Sequence, residues 1–121
     1  MVIEVKNFNS IKKNEDFKNV YKNGISYANR HLVMYVLKKN NDNDEVKNRI
    51  GISVSKKVGN SVVRHRLTRL IRESFRLNES EYLFSADIVV IVRISAKEMG
   101  YKDIYASYMH LCRLHKIISE K

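Results

Sequence analysis

The sequence has no proline, one cysteine and four glycines in 121 residues. No apolar run approaches the ~18 residues that a membrane span requires. Each scarcity closes off a class of protein. With no proline, no low-complexity run and no internal repeat, nothing marks an interdomain linker, and residues 1–121 are expected to form a single domain. Cys112 alone can build neither an internal disulfide nor a cysteine-based zinc cluster, and it reads as a small apolar residue of the last helix. The opening MVIEVKNF lacks the basic region and apolar block of a secretory signal, which makes the cytoplasm the expected location. His31, His65, His110 and His115 show no metal-binding spacing with nearby carboxylates. Neither a G-x-S-x-G nor a G-x-x-x-x-G-K-[ST] motif occurs. No catalytic residue and no metal site are therefore expected in the chain, which reads as a binder.

Acidic residues are scarce as well. Against 13 Asp and Glu stand 23 Lys and Arg, a net charge of +10. A chain this small and basic points to a polyanionic partner. A membrane surface is the competing partner, but it needs a basic helix whose apolar face is free to enter lipid. With 44% hydrophobic and 30% charged residues, the composition is that of a soluble globular domain.

Residues 1–13 read as an extended arm along the body. Asn14 is placed to cap a short helix, with Glu15 and Asp16 in its first turn and Gly24 beyond its end. Phe17, Val20 and Tyr21 share one face of that helix. A short strand has room around Ile25–Ala28. His31–Lys39 is rich in β-branched and aromatic residues and predicts a strand. A polar turn over Asn40–Glu45 leads to Arg49–Ser55, which alternates Ile50, Ile52 and Val54 with Gly51, Ser53 and Ser55. These two strands are expected to pair as a hairpin, and the small-residue face of the second leaves space for something to lie against it. Ala86–Arg93 predicts a strand covered on both faces. Lys102–Ile118 predicts a helix with a stripe of Ile104, Tyr108, Leu111, Leu114 or His115, and Ile118. Helix, strands, helix, strand, helix is an α+β order that folds as an α-β sandwich.

The most informative segment is SKKVGNSVVRHRLTRLIRESFR, Ser55–Arg76. From Asn60 or Ser61 to about Leu77 the period is helical. At ~100° per residue, Val63, Leu67, Leu70, Ile71 and Ser74 gather on one side, and His65, Arg69, Arg72 and Arg76 on the other, flanked by Arg64 and Arg66. The core needs the apolar stripe, which argues against insertion in lipid. Seven Lys or Arg against the single acid Glu73 put six of the ten net charges between Lys56 and Arg76. A solvating surface would mix signs, and the planar fork of arginine suits phosphate oxygens. Lys56 and Lys57 precede Gly59 and Asn60, where the chain turns so that the first N–H groups of the helix point outward, a second anion-binding feature. Elsewhere Phe17, Tyr21 and Tyr35, with Arg30 nearby in sequence, are either core packing or a stacking platform for unpaired nucleotides. The residues alone leave that choice open.

The run Gly51–Phe75, GISVSKKVGNSVVRHRLTRLIRESF, resembles the signature of the bacterial ribonuclease P protein subunit, with its Arg-Asn-Arg motif. Ile11–Leu37 is similar to the same family, and the final strand and helix more loosely. The resemblance implies a four-stranded sheet packed with helices and a left-handed βαβ crossover, of the kind seen in the second domain of ribosomal protein S5. The general rule for such connections is right-handed. It also implies that the chain joins a catalytic RNA to remove the 5′ leader from precursor tRNA. The RNA subunit and substrate hold Mg²⁺ and do the chemistry, and neither a membrane nor an obligate protein partner is needed. Carried over by position, catalytic-RNA binding falls to Lys56, Lys57, Asn60, Arg64, His65, Arg66, Arg69 and Arg72. Leader binding falls to Phe17, Tyr21, Arg30 and Tyr35, with Ser53 and Ser55 as floor, and this turns the aromatic question toward function. His65 stands where the family has the middle Asn, Thr68 where it commonly has a basic residue, and the N-terminal arm is less basic than in many relatives. The rival readings are a DNA-binding protein, which requires a compact helical module or a dimer, and a structural ribosomal protein.

Overall fold

The computed structural model describes residues 10–40 and 46–119. Helix α1 (Asn14–Asn23) leads into strands β1 (Ile25–Ala28), β2 (Leu32–Lys38) and β3 (Asn48–Ser53), helix α2 (Ser61–Leu77), strand β4 (Ala86–Val92) and helix α3 (Tyr101–Leu114). The sheet order is β1-β2-β4-β3, with β3 parallel to β4 and the other pairs antiparallel. This is the expected α+β arrangement of one four-stranded sheet packed with helices.

The expected hairpin between the second and third strands does not form. β4 is apolar along almost its whole length and buried on both faces, so it takes a central slot with a hydrogen-bonded neighbour on each side. β2 and β3 are thereby held apart. The hairpin that does form is β1–β2, with Ile25 opposite Val36. Its turn is closed by Asn29 Oδ1, which accepts from the backbone N–H groups of His31 and Leu32 at 3.2 and 3.0 Å. Of the expected polar turn at 40–45, residues 41–45 lie outside the described residues, as do residues 1–9 of the arm. Ser10 does bridge Ile50, and the N–H of Ile11 donates to the Ile50 carbonyl at 2.8 Å. The arm thus enters along the outer edge of β3.

Alternation along the strands sorts side chains between two faces. Leu32, Met34, Val36, Ile50, Ile88 and Val90 form the main core with Leu67, Ile71 and Phe75 of α2 and Ile104, Tyr108 and Leu111 of α3. The opposite face carries a smaller cluster of Ile11, Val20 and Val89, against which Phe17, Tyr35 and Leu37 pack. α2 and α3 therefore cover one face of the sheet and α1 part of the other.

Helix ends differ from expectation in detail. Lys13, not Asn14, is the N-cap of α1, its carbonyl accepting from Asp16 and Phe17 while no side chain caps the turn. α3 stops at Leu114 because Lys116 adopts φ 58°, and the N–H of Ile117 then donates to the Cys112 carbonyl at 3.1 Å. Ile118 lies past the helix, yet it is buried in the core. Of the pair Leu114 and His115, it is His115 that turns inward, its Nε2 2.9 Å from the Met34 carbonyl.

Candidate nucleic-acid interface

The cationic helix begins on a built cap. Asn60 Oδ1 accepts from the Val63 N–H at 3.0 Å, and no acid lies in the first turn to offset the positive end of the dipole. Val58 is buried and pins the loop, while Lys56 and Lys57 just before it are exposed. Gly59 is needed for close approach, since a Cβ there would meet Val63 Cγ1 at 2.8 Å. Asn60 thus contributes to the site by shaping the helix start.

The arginines of α2 are not equivalent. Arg69 and His65 are exposed and bonded to no other described group. Arg64 Nε donates to the Gly59 carbonyl at 3.1 Å, which fixes its stem and leaves the end of the fork outward. Arg66 behaves differently. Its Nη1 donates to the Met99 carbonyl and its Nη2 to the Lys97 carbonyl, both at 2.7 Å, so the fork clasps the loop before α3. Arg72 is half-buried, and its Nε is shielded with no acceptor among the described residues. Arg76 pairs with Glu73 at 2.6 Å. The ridge offered to a polyanion is therefore Lys56, Lys57, Arg64, His65, Arg69 and the outer part of Arg72.

The aromatic constellation assembles on the other face. Tyr21 stands edge-on to Tyr35 with ring centroids 5.0 Å apart, and Phe17 lies 6.5 Å from Tyr21. Burial, with Tyr35 alongside, raises the Tyr21 phenol above its ordinary value. Phe17 fills part of the space above the small-residue face of β3. A Cβ on Gly51 would meet its ring at 2.6 Å. Tyr35, Val89 and Gly51 are neighbours across three strands, and the next row is Val33, Ile91 and Ser53. In that row α1 no longer covers the sheet fully, and Val33, Ile91 and Ser53 stay partly exposed. Arg30, in the β1–β2 turn, and Ser55, just past β3, are exposed at the same end of the sheet. The result is a cleft with an aromatic wall and a mixed floor. Arg49 links α1 to the sheet: it makes a bidentate pair with Asp87 of β4 at 2.9 and 2.7 Å and reaches Asp16 of α1 at 3.4 Å. Burial pushes the Asp87 carboxyl up, but the bonds from Arg49 and Lys39 outweigh it and hold it below its ordinary value.

A chain with two such surfaces invites comparison with known nucleic-acid proteins. The Ribonuclease P family model matches residues 5–116. The chain belongs to the ribonuclease P protein family. The ribonuclease P protein component of Lachnoclostridium phytofermentans is 57% identical over 110 residues, 91% of each chain. That of Alkaliphilus metalliredigens is 52% identical over 92% of this chain and 96% of its own. Among solved structures, the RNase P protein of Staphylococcus aureus is similar with a TM-score of 0.82 and 40% identity, covering 92% of this chain and 98% of that one. The RNase P protein of Thermotoga maritima is similar with a TM-score of 0.74 and 28% identity, over 86% and 96%.

Membership of the ribonuclease P protein family implies partnership with the ribonuclease P RNA. Two contributors to these surfaces were not singled out from sequence. Val33 and Ile91 floor the cleft, and the alternation that puts Tyr35 on this face also puts Val33 there. The Arg66 clasp carried no sequence signal, because its acceptors are backbone carbonyls. Among the described residues, no helix is long and apolar enough to cross a membrane.

Proposed function

We propose that this chain is the RNA-binding subunit of ribonuclease P, seating the loop at Lys56–Asn60 and the exposed arginines of α2 on the catalytic RNA. The α1–sheet cleft then holds the single-stranded 5′ leader of precursor tRNA, its bases against Phe17, Tyr21 and Tyr35 and its phosphates near Arg30. The observation that carries the reading is the placement of the two surfaces on opposite faces of one sheet, so one chain can hold two RNA strands without competition between them. Rings of this kind are worth ~1–3 kcal/mol per stacked base. We assign Mg²⁺ and hydrolysis to the RNA subunit and the substrate. The work assigned to this chain is to bind and to orient. The strands flanking α2 disfavour a DNA-groove reading, and a purely structural ribosomal role has no need of the cleft. The test is binding of precursor and mature tRNA to the protein assembled with its catalytic RNA. A gain that depends on the leader supports the reading, and equal affinity for both tRNAs sinks it.

A further inference from the structure

Between α2 and the outer edge of β3 runs a groove of about 510 Å³, on the side of the sheet opposite the leader cleft and within the ~300–1,000 Å³ range of small-molecule sites. Ile52 and Val54 form one wall, and buried Phe75 lies at its foot. Arg64, Thr68 and Arg72, spaced four apart and so stacked along one side of the helix, form the other. Arg72 carries the shielded Nε that lacks an acceptor among the described residues. Unpaired buried donors are rare in native proteins and ordinarily mark a missing partner.

The strand edge supplies a second polar feature. The Ile50 carbonyl faces outward, where it accepts from Ile11. Backbone direction alternates along a strand, so the N–H and C=O of Ile52 face outward too, beyond the point where the arm's pairing ends among the described residues. An apolar slot, an adjacent donor–acceptor pair and a rim of arginines match one chemistry: a flat aromatic ring with a hydrogen-bonding edge, joined to phosphate.

We propose that this groove takes up one unpaired nucleotide of an RNA strand, its base between β3 and α2 and its phosphate on the Arg64–Arg72 row. Which RNA supplies it rests on the reading above, in which α2 meets the catalytic RNA. A partner peptide adding a strand to the β3 edge is the other conceivable occupant. β3 ends at Ser53, leaving almost no ladder for it, and the lining stays net cationic, with Arg64, Arg69, Arg72 and Arg76 against Glu73, which Arg76 pairs, and Glu79.

Titration of the full-length chain with AMP, GMP, CMP and UMP, followed by methyl NMR, tests the site directly, with ribose 5-phosphate and inorganic phosphate as controls. The expected result is shifts at Ile52, Val54 and Thr68 that saturate with at least one nucleotide at roughly tenfold lower concentration than with ribose 5-phosphate, the gain of one stacked base. Equal response to the controls, or no response at these methyls, overturns the proposal. So does dimerisation through the β3 edge seen by sedimentation. In a second arm, Thr68→Trp fills the groove without changing charge, and Thr68→Leu fills it less. Both are expected to weaken binding to the catalytic RNA, the former about tenfold, with an unaltered salt slope. Undiminished binding by both variants removes the groove inference while leaving the RNA-subunit reading intact. Failure of the parent chain to bind the catalytic RNA removes the reading itself, and the nucleotide titration still decides the groove.

Discussion

At the scale of residues, the arginines of α2 divide by what their forks already hold. Arg66 makes two charge-assisted bonds to loop carbonyls, so Arg66→Ala is expected to cost about 1–3 kcal/mol of stability in urea unfolding. Arg69 is exposed, so Arg69→Ala is expected to leave stability within ~0.5 kcal/mol. It should flatten the salt dependence of catalytic-RNA binding by ~0.7–0.9 in log–log slope. If Arg66→Ala alone loses the slope, the clasp is not what that residue does in the complex. His115 is a second case. Burial lowers its pKa, and the bond to the Met34 carbonyl only partly restores it. The unfolded imidazole, near 6.5, therefore binds a proton that the folded one refuses. Its contribution to stability is present above about pH 6.5 and is lost as pH falls toward and through the folded value. Urea midpoints measured from pH 7 to 5 are expected to fall, and His115→Gln to flatten that decline. Cys112, pushed up to about 12 chiefly by burial, is expected to resist thiol reagents until the chain unfolds.

At the scale of elements, α2 was readable from its own period because one amphipathic helix carries both its core stripe and its charge. The turn at Gly59 and Asn60 was likewise readable, and the structure adds that Asn60 caps the helix through the Val63 N–H. The neighbours of β2 and β3 were not: they were expected to pair with each other, and β4 lies between them. Whether two strands adjoin depends on a competitor, and β4 enters the chain only after α2. β3 shows how an element serves the site. Its small-residue face was legible as open space, and the structure shows Phe17 taking part of it above Gly51. Gly51→Val should drive that ring off the sheet, costing about 1–3 kcal/mol by overpacking. It should also reduce leader affinity about tenfold, since the wall of stacking rings moves. Assembly with the catalytic RNA should be nearly unchanged, because α2 packs on the other face. Equal losses in both assays would show that the two surfaces are not separate.

At the scale of the whole molecule, the sheet acts as a partition. Tyr35 and Arg69 share no partner and lie on its two sides, so the effects of Tyr35→Ala and Arg69→Ala on holoenzyme binding of precursor tRNA should add to within ~0.5 kcal/mol. A larger coupling would mean that leader and catalytic RNA communicate through the fold. Periodicity, capping and charge density already determined an α+β chain with a rigid cationic helix, because each acts between residues a few positions apart. The sheet order, the clasp that takes Arg66 out of the free ridge and the separation of the cationic ridge from the aromatic cleft were decided by tertiary structure alone. Each depends on contacts between distant residues. Arg66 meets Met99 33 positions away, Arg49 meets Asp87 38 away, and no local pattern encodes which of many possible partners will be in reach once the core has closed.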